Sequence, residues 1–197
     1  MRKVIVNEFL TLDGIAQAPG GPDEDTSSGF EHGGWHIAYG AEDGVEKLIA
    51  EAGGFLLGRW TYELFADYWP NAPEETRAFA EPMNTKPKHV ASRTLTDPLE
   101  WQNSSVLPEP LPEAIAALKE EDGGDLLVIG STVLVHSLLQ HGLVDELRLM
   151  IDPVLVGGGK RLFPNDGALR PLRLVAHEVT STGTIIATYS SSHGTLT

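Results

Sequence analysis

Three short stretches of this chain bring together glycine, hydroxyl and guanidinium groups: Gly58-Arg59-Trp60-Thr61, Ser92-Arg93-Thr94 and Gly130-Ser131-Thr132. Glycine lets a backbone or a ligand approach closely, and a guanidinium offers a fork of donors that matches phosphate oxygens. A hydroxyl at a helix start can cap the helix or bond an anion. Any one stretch reads first as ordinary capping at a strand-to-helix joint. Three with compatible chemistry point to a phosphate-rich nucleotide held across several strands, with the arginines as candidates for a 2′-phosphate.

Such a site needs strands that end at the three stretches and helices that begin there. FLLG (55–58), HVAS (89–92) and DLLVIG (125–130) are short continuous apolar runs, the pattern of strands buried on both faces. WTYELFADYW resumes helical spacing until Pro70, and GSTVLVHSLLQHG predicts a helix closed by Gly142. Further helices are predicted over 42–52, 74–83 and 112–121, and a first strand over 3–9. Strand and helix alternate from Val4 to Leu139, so the sheet is expected to be largely parallel with helices on its faces. The last three runs, DELRLMIDPVLV, PLRLVAHEV and GTIIATYSS, read as strands with no helix between the last two. An antiparallel edge follows from that. A single domain over 1–190 and a tail over 191–197 are expected.

Residues 16–40 are crowded with Gly, Pro, Asp and Ser and predict a long loop, of the kind that serves as a lid or binding segment. The loop VGGGKRLF reads either as a flexible connection with two surface cations, Lys160 and Arg161, or as a place where backbone and cation meet a substrate phosphate.

The 197-residue chain has a formal net charge of −14 and no cysteine. A polyanion such as nucleic acid meets a repulsive field unless basic residues cluster. Disulfides and thiolate metal sites are excluded, and the seven histidines show no HExxH spacing. No metal is therefore expected. The N-terminal run MRKVIVNEFL is too polar and too short for a signal peptide or a membrane span, which leads to the expectation of a soluble cytoplasmic protein.

FLLGRWTYELF, VASRTL and LLVIGSTVLVHSLL, in that order and with VNEFLTLDGIAQ and LVDELRLMIDPVLVGGGKRLF at either end, resemble the dihydrofolate-reductase-like superfamily. The branch they resemble most is the C-terminal reductase domain of the riboflavin-biosynthesis deaminase-reductase. The resemblance implies an α/β, three-layer fold with a mainly parallel central sheet, flanking helices and an antiparallel C-terminal edge. It also implies NADPH as cofactor. Gly58, Arg59 and Thr61 then match the motif that grips the adenosine 2′-phosphate and pyrophosphate, and Ser92 and Arg93 the adenine-ribose side. Gly130, Ser131, Thr132 and Val133 match the Gly-rich turn under the pyrophosphate, although Ser131 stands where classical dihydrofolate reductases have a second glycine. Leu12 to Ile15 match the segment flanking the nicotinamide. Branch members commonly pair, so a homodimer is expected.

For the proton that accompanies a hydride, Glu42 and Asp43 fall at about the distance of the acid in classical dihydrofolate reductases. Acidic residues in a first helical turn also follow from the helix dipole alone. Asp13, in TLDG, is either an acid near the nicotinamide or a turn residue. Trp35 and Tyr39 either wall a substrate pocket or pin the long loop. A reductase acting on an unidentified heterocyclic or carbonyl substrate is the leading expectation; a non-catalytic nucleotide or small-molecule binder of the same fold is the other.

Overall fold

The structure, a computed structural model, describes residues 1–40 and 44–191. Eight strands form one sheet in the order β4-β3-β2-β5-β1-β6-β8-β7. They are β1 (Val4–Thr11), β2 (Gly54–Gly58), β3 (Lys88–Ala91), β4 (Ser104–Val106), β5 (Leu126–Ile129), β6 (Glu146–Asp152), β7 (Leu172–Val179) and β8 (Ile185–Ser191). Five α-helices intervene: α1 (Val45–Glu51), α2 (Arg59–Tyr68), α3 (Arg77–Thr85), α4 (Leu111–Glu120) and α5 (Thr132–Gln140). The fold class expected from the alternation is the one observed.

By contact the chain divides into two compact units. The first comprises Met1–Ile5 and Gly44–Leu143. Here β2 pairs in parallel with both β3 and β5, and β3 with β4. The apolar runs are buried as their lack of alternation predicts: Phe55, Leu56, Leu57, Leu126 and Val128 are all fully inaccessible. Met83 of α3, Ile115 and Leu118 of α4, and Leu134, Val135 and Leu138 of α5 are buried as well. Gly53 is required by backbone contact rather than by conformation, because a Cβ there would meet the Gly124 carbonyl oxygen at 2.3 Å.

The second unit comprises Val6–Asp43 and Val144–Thr197. It holds the antiparallel strands: β8 pairs with β6 on one side and β7 on the other. The run DELRLMIDPVLV extends as strand only to Asp152, because Pro153 cannot donate to a ladder. The strand β4 has no signal in the sequence. It is three residues long, mostly polar, and entered through Asn103 at φ 59°. Ser191, placed in the predicted tail, closes β8 instead; residues 192–197 lie outside the described residues.

Candidate nucleotide-binding site

In the first unit, the register places the carboxyl ends of three strands level with one another. Gly58 stands beside Ala91 across β2 and β3, and Leu56 beside Val128 across β2 and β5. The stretches that follow, 59–61, 92–94 and 130–132, therefore emerge at the same edge. This is the edge at which open α/β sheets bind ligands, because helix N-termini there carry N–H groups without intrahelical acceptors.

Two of these joints are fastened together. The Gly58 N–H donates to the Ser131 Oγ at 2.9 Å, across 73 residues of sequence. Gly130 and Ser131 both adopt the left-handed region, at φ 62°. Glycine enters it freely, whereas a serine there costs energy. The Ser131 hydroxyl offsets that cost by accepting the Gly58 donor, which a second glycine at this position could not do. A side chain at Gly130 would be crowded: an added Cβ would lie 3.3 Å from the Thr61 Oγ1, which would have to give way slightly. Thr61 is buried and lines the turn, while α5 begins directly after it at Thr132, with Val133 largely exposed at the helix head.

Arg59 opens α2, its side chain half exposed and paired with Glu63 at 3.0 Å one turn on. A surface pair of this spacing contributes about 0.3–0.5 kcal/mol, so it yields readily to a stronger anion. Ser92 is occupied locally: its Oγ accepts the N–H groups of Thr94 at 3.1 Å and Leu95 at 3.0 Å, shaping the turn that leaves Arg93 exposed. An open groove of about 870 Å³ runs beyond this turn between α2 and residues 94–102, with the buried Tyr62 and Trp101 at its floor.

The second unit holds the remaining candidates. Leu12 is exposed, but the Ile15 side chain is fully buried in a cluster with Ala18 and Phe30. Only its backbone is left to flank a ligand, and that backbone is bridged to Arg161. Trp35 packs on the same cluster and its Nε1–H donates to the Gln17 carbonyl at 2.8 Å, so it pins the loop. The Tyr39 carbonyl accepts the Thr182 hydroxyl at 2.9 Å. Glu42 and Asp43 lie outside the described residues.

Asp13 is a brace. Its carboxylate accepts the Thr11 hydroxyl at 2.6 Å, the Gly157 N–H at 2.8 Å and the Val156 N–H at 3.3 Å. The Thr11 hydroxyl and these backbone donors hold its pKa below the usual carboxylate range. A carboxylate kept ionised in this way is a poor proton donor.

The loop VGGGKRLF is not the flexible connection that its glycines suggest. Lys160 Nζ pairs with Asp25 at 2.5 Å, and its backbone N–H donates to Gln17 Oε1 at 2.9 Å. Arg161 donates to the Asp13 carbonyl at 2.7 Å. These long-range partners, 135 to 148 residues away, fix the two loops to each other.

Two features of this unit have no signature in the sequence. His36 Nδ1 lies 2.8 Å from the fully buried Asp152 Oδ2, while the Thr184 hydroxyl donates to Asp152 Oδ1 at 2.7 Å. On β1, Glu8 is buried and its Oε1 has no hydrogen-bond partner. Burial, and then the charge of Glu24, push the Glu8 carboxyl well above its ordinary range. Glu24 is itself raised by burial, although it accepts the N–H groups of Gly20 and Gly21.

The parallel core with its antiparallel edge is the dihydrofolate-reductase-like arrangement. A dihydrofolate reductase from Enterococcus faecalis, solved with NADP(H), superposes with a TM-score of 0.60 at 13% identity, over 96% of each chain. A putative riboflavin biosynthesis protein from Shewanella sp. PV-4 superposes with a TM-score of 0.73 at 21% identity, over 97% of this chain and 99% of the other. Residues 2–186 match the RibD C-terminal domain family, and the chain belongs to that family. It is also 27% identical over 191 residues to the uncharacterized protein YyaP of Bacillus subtilis, covering 95% of this chain and 94% of that one. Among the described residues no helix is long and apolar enough to cross a membrane.

Proposed function

We propose that this protein is an NADPH-dependent reductase that passes hydride to a small heterocyclic or carbonyl substrate. The observation that carries the reading is the hydrogen bond from Gly58 to Ser131, which unites two strand-to-helix joints on neighbouring strands around a glycine in the left-handed region. A turn of this kind leaves backbone N–H groups and a helix N-terminus free to meet a pyrophosphate. Arg59 at the head of α2, with Arg93 at the same sheet edge, supplies the positive charge that a 2′-phosphate requires in a chain of net charge −14.

The residues present fit the cofactor, which when bound would supply the hydride. Gly130 admits the phosphate, Ser131 holds the turn, and Arg59 exchanges its weak Glu63 pair for a doubly charged group. The family and the solved relatives support a reductase of this type.

Calorimetric titration with NADPH and NADH tests the reading. NADPH is expected to bind tighter, and Arg59→Ala to cost roughly 1–3 kcal/mol, about ten- to a hundredfold in Kd. Equal affinity in the variant would overturn the phosphate role. A second reading, a binding protein without turnover, is favoured by the commitment of Asp13 to bracing. Loss of NADPH absorbance that depends on an added carbonyl or heterocyclic compound decides between the two.

A further inference from the structure

Strand β1 carries a buried amide that is satisfied at one end only. Asn7 is fully inaccessible, and its Nδ2 has no hydrogen-bond partner among the described residues. Its Oδ1 accepts Arg148 Nη1 at 3.0 Å from the neighbouring strand β6. A guanidinium carries donors only, so this bond fixes which end of the amide is oxygen and leaves both Nδ2 hydrogens without an acceptor. Buried amides are ordinarily bonded at both ends, and one that is not calls for an explanation.

The surrounding side chains define the acceptor that would complete it. Side chains two apart on a strand share a face, so Phe9 stands beside Asn7. Thr188 lies directly opposite Arg148 in the β6–β8 register and shares that face too. Farther along β6, Met150 and Asp152 are inaccessible, whereas Phe9, Arg148 and Thr188 are only half-buried. This end of the face is therefore open to a ligand from solvent. The Phe9 ring is held against His36, with centroids 3.8 Å apart, which sets it as a flat apolar wall. Arg148 brings forked donors beside the Nδ2 hydrogens, and adjacent donors match the two oxygens of a carboxylate.

We propose that Asn7 and Arg148 anchor the carboxylate of a planar aromatic or heteroaromatic acid, whose ring lies along Phe9. The acid completes the hydrogen bonding of the Asn7 amide, and Thr188 stands at the open side of the same face. That this acid is the substrate rests on the reductase reading; the donor pair itself does not. The site lies on strands β1, β6 and β8, apart from the loops that are braced to one another.

The test is an NMR titration of the nitrogen-15-labelled protein, without cofactor, with benzoate as the probe. The side-chain amide pair of Asn7, assigned through its own Cβ, is expected to shift with a dissociation constant on the order of 1–10 mM. Benzamide keeps the ring without the charge and is expected to bind about tenfold more weakly. Arg148→Lys keeps the charge without the fork and is expected to weaken benzoate by about tenfold as well. An Asn7 amide that benzoate leaves unmoved overturns the proposal, and so does equal affinity for benzamide; both are read on the unaltered protein. Benzoate held as tightly by a folded Arg148→Lys variant overturns the part given to Arg148. A protein whose Asn7 responds to benzoate but which binds no NADPH would overturn the reductase reading and leave this site standing.

Discussion

The edge of the first unit and the loop region of the second are both built to hold irregular backbone in place, but they do it by different means. At the strand ends, short side chains and glycines act at close range on the backbone beside them in space: Gly130 against Thr61, Ser131 on Gly58, Ser92 on its own turn. In the second unit, charged and amide side chains reach across the chain: Asp13 to Gly157, Gln17 and Asp25 to Lys160, His36 to Asp152. The first arrangement leaves N–H donors and arginines for a ligand. The second consumes its polar groups internally, and the contrast separates groups fit to bind from groups that brace.

The largest effect that would sharpen this contrast concerns His36. Removing one partner of a buried hydrogen bond leaves Asp152 Oδ2 without it, so His36→Ala is expected to cost roughly 2–3 kcal/mol of unfolding free energy. A urea titration showing a loss near that of an exposed pair would mean that the brace is not structural. At the strand ends, Gly130→Ala forces an alanine into the left-handed region against Thr61. Roughly 1–2 kcal/mol of stability should be lost, with weaker NADPH binding. Unaltered binding would remove Gly130 from the site.

The smallest effect is a change of slope. Glu8 titrates near 4.5 in the unfolded chain and well above that when folded. Between these values the native state holds a proton that the unfolded state has released, so stability falls as pH rises through that window. Glu8→Gln cannot ionise; it is expected to flatten the decline and to be more stable than the unaltered protein at neutral pH. Glu24, raised in the same direction, keeps part of the slope. Urea midpoints followed from acid to mildly alkaline pH would expose an unchanged slope.

How far each region could be read from sequence follows from the same contrast. The strand-end stretches are visible because glycine, hydroxyl and guanidinium groups fall together within each of them, although the bond joining Gly58 to Ser131 is not, and uninterrupted apolar runs such as FLLG and LLVI announce buried strands. The braces were not visible. Nothing in GGGKRLF reveals that Lys160 meets Asp25 or that Arg161 meets Asp13, because those pairings exist only once the loops are brought together. Asp13 shows the limit most clearly. Its place before Gly14 suggests a turn or an acid, and its role proves to be anchoring residues 156–157, 143 and 144 positions further on. His36 sits in a glycine-rich run with no periodicity to mark it, and its partner ends a strand whose burial alone was predictable.

The bond between Gly58 and Ser131 also bears on how the chain can change over time. Replacing Ser131 with glycine would relax the backbone but leave the Gly58 N–H without its acceptor. A bulkier apolar residue at 131 would keep the conformational cost and lose the compensation. Because the donor is a main-chain N–H that every residue but proline carries, the bond constrains position 131 far more than position 58, and a segment 73 residues away in sequence depends on the one acceptor kept there.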